Sequence, residues 1–237
     1  IESRGLGDVY KRQSVDSEAK QHCEYDSLLK LRVHNELCGT QVVFTRAALQ
    51  HHANILPLYP NVAEDQPQAC STLSGPEIRC IGTLRPTHSL IVTCVVDELG
   101  GTYVHIPTHD SLFSIRPSFE LRQSVPKNSV VHAFVYVNDG SVHLGVFDIS
   151  QLSGVDFSQR PPMERHQALH THVTGSDHVY IHWAGFEAAL REGKCDTPFD
   201  VEYLMRLPEK IDTVSTCTKF KYGTSQALLA NFNATSL

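Results

Sequence analysis

Lys219 and Lys221 flank Phe220 and run into Tyr222, forming a basic-aromatic cluster near the end of the chain. Ammonium groups beside aromatic rings can grip a phosphate or support a stacked base. The same lysines on a strand edge can also serve as charge that blocks edge pairing. His166, His170 and His172 form a second constellation, whose first two members are four residues apart and would share one helix face. That spacing occurs in zinc sites, but with no cysteine or carboxylate at ligand spacing beside them no metal is expected. The seven cysteines are an odd number with none at CxxC spacing. They indicate neither a disulfide framework nor a zinc ribbon and suit an intracellular chain, nuclear or cytoplasmic.

Periodicity and turn chemistry give the elements that must position these groups. Val131, Ala133, Val135 and Val137 alternate with their neighbours, Asn138-Asp139-Gly140-Ser141 supplies turn residues, and an apolar run resumes over 142–149. This predicts a hairpin. Asp148, near the end of the second strand, is expected to cap a turn at Gly154, and Arg160-Pro161-Pro162 leads into a helix over 163–169. Upstream, residues 90–96 predict a buried strand, Gly100-Gly101 a turn and 102–106 its partner, with short strands over 112–115 and 119–121. Residues 201–207 and 216–221 predict another antiparallel pair, and 227–232 a final strand. Helical patterns cover 14–30, 47–52 with Thr45 as N-cap, and 183–191, while 39–46 is in part extended and 60–80 reads as loop. The sum is an α+β chain with helices outside antiparallel strands.

With 237 residues and 41% hydrophobic content the chain can bury a proper core and fits one large domain or one and a half small ones. A net charge of −6 argues against a protein that coats nucleic acid, although a local basic pocket is compatible with it. No apolar run reaches the roughly 18 residues of a membrane span. Asn233-Ala234-Thr235 is a glycosylation sequon without a secretory signal and is read as chance. Asp8-Val9-Tyr10-Lys11-Arg12-Gln13 looks like a translated sequencing adapter, so residues 1–13 are set aside. Residues 14–36 then form an N-terminal helical segment and 37–237 the main domain.

Several segments, in order, carry a family resemblance. Leu37-Cys38-Gly39-Thr40-Gln41-Val42-Val43-Phe44 looks like a PGxQPVS segment without its prolines. Residues 90–103 sit where a KxDGxR nucleophile strand belongs, and 130–137 occupy the place of a DGE strand. Val146-Phe147-Asp148-Ile149, followed by Gly154 and Arg165, matches the next motif, and Phe199-Asp200-Val201-Glu202-Tyr203-Leu204 resembles an acidic EG strand. Tyr222-Gly223-Thr224-Ser225 with Leu228-Leu229 resembles the run into a terminal KWK motif. From about Leu37 onward the chain therefore resembles the nucleotidyltransferase domain of mRNA-capping guanylyltransferases, in the superfamily of DNA and RNA ligases. It is also similar to the snurportin cap-binding domain. The resemblance implies the nucleotidyltransferase fold of capping enzymes and ATP-grasp-like ligases, antiparallel sheets with flanking helices. The chain stops at Leu237, where the family's OB-fold domain would begin, so that domain is expected to be absent.

The family attacks the α-phosphate of GTP with a lysine amine and passes GMP to the RNA end, a reaction needing a nucleophile and charge-neutralising clamps. In the best register Val95 stands at the lysine, Asp97 at the aspartate, Glu98 at the glycine and Gly100 at the arginine. The DGE positions fall on His132-Ala133-Phe134, Tyr203 replaces the glycine of the acidic strand, and Ala230-Asn231-Phe232-Asn233 holds no lysine. A valine cannot form a phosphoramidate, and loss of a nucleophile removes essentially all of the rate.

The expectation is a pseudoenzyme that binds a cap, a guanine nucleotide or an RNA 5′ end without GMP transfer and with no required cofactor. By the resemblance Phe147 would stack on a purine or else belong to the core. Asp97 and Glu202 would touch ribose or metal, or remain solvated. Lys219 and Lys221 would meet phosphate or RNA. Tyr203 and Phe134 are large enough to fill the space of a guanosine. One alternative is a scaffold or regulatory subunit partnering capping-machinery proteins. The other is an active guanylyltransferase using GTP, Mg²⁺ and a displaced lysine such as Lys127 or Lys219.

Overall fold

The alternation around Val131 places unlike side chains on opposite faces of one strand, and the two faces build two separate cores. The computed structural model describes residues 28–42, 59–60, 82–106, 111–181, 201–212, 215 and 217–221. The strands in chain order are β1 (Cys38–Gln41), β2 (Gly82–Pro86), β3 (Leu90–Val96), β4 (Thr102–Ile106), β5 (Ser111–Ile115), β6 (Ser129–Asn138), β7 (Ser141–Leu152), β8 (Val155–Asp156), β9 (Val179–Ile181), β10 (Val201–Arg206) and β11 (Thr218–Lys221). An eight-stranded sheet runs β1-β5-β4-β3-β6-β7-β8, with β9 parallel to β7, and a three-stranded sheet runs β11-β10-β2.

On one face of β6, Val131, Ala133 and Val135 join Val92, Cys94 and Val96 of β3 and Leu144 and Val146 of β7. Leu29 and Val33, the π-helical turn Val33–Leu37 that ends on Leu37, and Leu169 of a longer helix cover this core. On the other face Phe134 and Tyr136 join Phe147 of β7 under Tyr203 and Met205 of β10. The result is helix, large sheet and small sheet in layers, an α+β arrangement of mainly antiparallel strands. Buried on both faces over 129–136, β6 is the central strand of the molecule.

The predicted β6–β7 hairpin forms with Asp139 at φ 48° and Gly140 at φ 76°, the left-handed pair of a tight two-residue turn. Arg32 donates to the Gly140 carbonyl and to Glu36, whose Oε2 accepts the Val142 N–H at 3.2 Å. The N-terminal helical residues are thereby tied to this turn. The helix after β8 spans Pro162–His172, with proline at its first turn as expected. The expected strand over 119–121 is not formed. Pro117 starts a 3₁₀ turn (Pro117–Phe119), Glu120 adopts a left-handed φ of 51°, and a short helix α1 (Leu121–Ser124) follows, so Pro162–His172 is α2. A proline pre-set for helix entry overrides the strand propensity of Phe119. The expected segments over 14–27, 47–52, 61–80, 183–191 and 227–232 lie outside the described residues, as do residues 1–13. No helix among the described residues is long and apolar enough to cross a membrane.

Candidate functional site

Val95, at the expected nucleophile position, is half-buried on β3 with Tyr103 and Val130 as cross-strand partners. Asp97 follows at the β3–β4 turn, where Oδ1 accepts the Gly101 N–H at 2.7 Å and Oδ2 accepts the Tyr103 hydroxyl at 3.1 Å. The Tyr103 phenol is pushed above its ordinary range by burial and then by this carboxylate. A Cβ on Gly101 would lie 2.5 Å from the Tyr103 hydroxyl and 2.6 Å from Asp97 Oδ2, so a side chain there would have to displace this hydrogen-bonded pair. Asp97 therefore has a structural use: both its oxygens hold the hairpin shut.

Phe147 is fully buried, its ring stacked on Phe134 at 4.2 Å between centroids and edge-on to Tyr59 at 5.0 Å. It is the extra residue of β7 at an irregularity, since Ala133 faces Val146 while His132 faces Asp148. Burying a side chain of this size contributes roughly 1.5–3 kcal/mol. The Phe147 ring thus packs within the inter-sheet core. Tyr203, 4% exposed, and Phe134, 0% exposed, pack in the same cluster between the sheets. Phe147 lies level with Val92 and Thr93, whereas Asp97 lies beyond the far end of β3, roughly 15 Å away by strand geometry. The two are not brought together.

His132, where the resemblance led one to expect a carboxylate, is buried and hydrogen-bonded through its two ring nitrogens to Thr93 and Ser150. Burial first, and the Arg165 charge second, push its pKa down to about 3. Beside it Asp148 does not cap the Gly154 turn. Its carboxylate takes two hydrogen bonds from Arg165 of α2, at 2.9 and 3.0 Å, with Tyr59 Oη donating to Oδ2 at 3.0 Å and the Ile149 N–H to Oδ1 at 2.9 Å. A buried carboxylate needs a buried cation more than a turn needs a cap.

The small sheet holds the described cationic groups that matter here. Tyr203 on β10 is flanked by Arg85 of β2 and by β11, with Lys221 directly opposite it in register and Lys219 opposite Met205. The Arg85 guanidinium carbon lies 5.1 Å from the Tyr203 ring centroid and Lys219 Nζ 5.4 Å from the same centroid. Arg85 also donates to the Tyr203 hydroxyl, to Ser89 Oγ at 3.0 Å and to the Ser89 carbonyl at 2.7 Å, which fixes its plane. Two cations thus converge on one aromatic ring at the rim of the inter-sheet core. Lys219 is legible in the sequence, whereas Arg85 is not, because it lies 118 residues from Tyr203. Glu202 and Lys221 lie in β10 and β11, and their side chains are outside the described atoms.

His166 and His170 do face each other on α2, with ring centroids 4.3 Å apart, but no group of three metal-ligating side chains occurs among the described residues. The described cysteines, Cys38, Cys94 and Cys217, are buried free thiols that burial pushes up to about 11, 12 and 12.

No protein-family model matches the chain, and no curated protein matches it. The likeness to capping guanylyltransferases therefore rests on the motifs and their order.

Proposed function

We propose that the chain is a catalytically degenerate relative of the mRNA-capping guanylyltransferases, with their nucleotidyltransferase fold, that binds an RNA 5′ end by its phosphates and transfers no GMP. The observation that supports this most directly is the convergence of Arg85 and Lys219 on Tyr203 at the rim of the inter-sheet space. Phosphate recognition needs cations held in place, and the buried Tyr203 ring holds both of these beside it. The aromatic filling by Phe134, Phe147 and Tyr203 supports outer contact with the phosphates over a buried guanine. Val95 in the nucleophile position supports binding without covalent chemistry. No cofactor is needed for such a role.

The same aromatic filling favours one other reading, a scaffold or regulatory subunit that offers the fold to capping-machinery proteins. A fluorescence-anisotropy titration of the 237-residue chain with labelled 5′-triphosphate RNA, competed with GTP, methylated cap dinucleotide and guanosine, separates the two. Phosphate-bearing competitors should displace the RNA and guanosine should not. Absence of saturable RNA binding would leave the scaffold reading.

A further inference from the structure

A cleft of about 340 Å³ opens where β4 and β5 leave the large sheet, lined among others by Gly100, Gly101, Tyr103, Ser114, Arg116 and Arg122. That volume falls in the lower range of small-molecule sites. Tyr103 and Ser114 are cross-strand partners, so they share one face of the sheet. Arg116 Nε donates to the Cys38 carbonyl at 3.1 Å, which anchors the guanidinium while its two Nη groups have no hydrogen bond among the described residues. Arg122 on α1 is exposed and makes no ion pair among the described residues. At the rim, Lys127 Cε lies 3.4 Å and Nζ 4.0 Å from where a Cβ on Gly100 would stand. Gly100 has φ +90°, so a bare, left-handed residue separates this third cation from the cleft.

Against these three cations the cleft lining offers one carboxylate, Glu120, whose Oε1 accepts Gln123 Nε2 at 3.3 Å. Asp97, behind the floor, is committed to Gly101 and Tyr103. In a chain of net charge −6 this is a local excess of positive charge around a concavity. Ile115, Pro117 and Leu121 add an apolar wall.

We propose that this cleft is a binding site for a phosphate monoester, with Arg116 and Arg122 on the phosphate oxygens, Lys127 at the rim and the apolar wall against the rest of the molecule. Two guanidinium groups match a dianionic phosphate, because each can present two parallel N–H donors to its oxygens. The site is separate from the cations at Tyr203. Arg85 is bonded to Ser89 just before β3, and Gly100 lies past the other end of that strand, roughly 20 Å along it. It stands whether or not RNA binds at Tyr203.

The test is a ¹H–¹⁵N NMR titration of the full chain with guanosine 5′-monophosphate, and with guanosine as the control lacking phosphate. The nucleotide should give saturable shifts at the Gly100, Gly101 and Thr102 amides, and guanosine should leave them in place. Arg116→Ala can loosen β1 through Cys38, so the exposed residues Arg122 and Lys127 carry the test. Arg122→Gln and Lys127→Gln should each weaken the nucleotide by about fivefold or more, and Lys219→Ala should leave these shifts unchanged. Equal shifts with nucleotide and nucleoside, no shifts with either, or unchanged affinity in the Arg122→Gln/Lys127→Gln double variant would overturn the proposal.

Discussion

Arg165 reaches from α2 to Asp148 on β7 in a two-pronged ion pair, Nε to Oδ1 at 2.9 Å and Nη2 to Oδ2 at 3.0 Å, with the side chains 0% and 1% exposed. The remaining guanidinium donors go to the carbonyls of Arg160, Pro208 and Glu209 at 2.6, 2.7 and 3.2 Å. One arginine thereby joins β7, α2 and the segment after β10, and through Asp148 it also holds Tyr59. Tyr59 is held protonated, its phenol pushed well up by burial and then by the Asp148 charge. Removing either charge strands the other in the interior. Arg165→Ala or Asp148→Ala should each cost about 3–5 kcal/mol of stability in urea unfolding. Arg165→Lys should recover only part of this, because an ammonium cannot reproduce the fork. A cost below about 1 kcal/mol, the range of an exposed pair, would show that the pair does not hold the layers together.

Acid should unfold the protein early. The folded state keeps His132 neutral with a pKa of about 3, against 6.5 for the free imidazole, so below pH 6.5 the unfolded chain takes up a proton that the folded chain refuses. The stability this group supplies is complete above pH 6.5 and is lost as pH falls toward 3, at about 1.4 kcal/mol per pH unit. His166, held down to about 4 mainly by burial, acts in the same direction, with solvent screening reducing its share. Urea midpoints measured from pH 7 to pH 4 should fall, and His132→Gln should flatten that slope. An unchanged slope in the variant would remove His132 from the explanation.

Asp97→Ala separates structure from binding. It leaves the Gly101 N–H and the Tyr103 hydroxyl without their partner, at about 1–2 kcal/mol on thermal or urea unfolding. RNA affinity at the Tyr203 rim should not change. A loss of affinity with stability intact would restore Asp97 as a ligand-binding residue.

On the proposed reading, which puts Val95 at the nucleophile position, incubation with GTP and Mg²⁺ followed by intact-mass measurement should show no covalent GMP on the wild-type chain. An adduct mapped to Lys127 or Lys219 would establish the active-enzyme alternative.

Local signals make much of this fold readable. The β6–β7 hairpin is announced by Asn138-Asp139-Gly140-Ser141, because both turn positions need left-handed backbone that Asp139 and Gly140 accept. α2 is announced by Pro162 at its first turn. The pairing of β10 with β11 follows from two apolar alternations close in the chain. What depends on distant partners is not readable. β2 is bounded by Gly82 and Pro86, residues that argue against a strand, and it is a strand because Leu84 pairs with Leu204. β9 is three residues long and is held by parallel pairing to β7. For Asp148, spacing suggests a local turn, and only the three-dimensional return of α2 over β7 reveals Arg165 as its partner. The cluster around Tyr203 is half legible: Lys219 stands out by composition, but the Tyr203 ring that it approaches lies on another strand.

The most direct measurement is the salt dependence of 5′-triphosphate RNA binding, by anisotropy, for wild type and Lys219→Ala. Each phosphate that the protein ceases to neutralise on a single strand should lower the slope of log affinity against log salt by about 0.7. Lys219→Ala should show that drop, with weaker binding and unchanged stability, and Arg85→Ala/Lys219→Ala should show about twice as much. Identical slopes and affinities in wild type and both variants would contradict a phosphate grip at Tyr203.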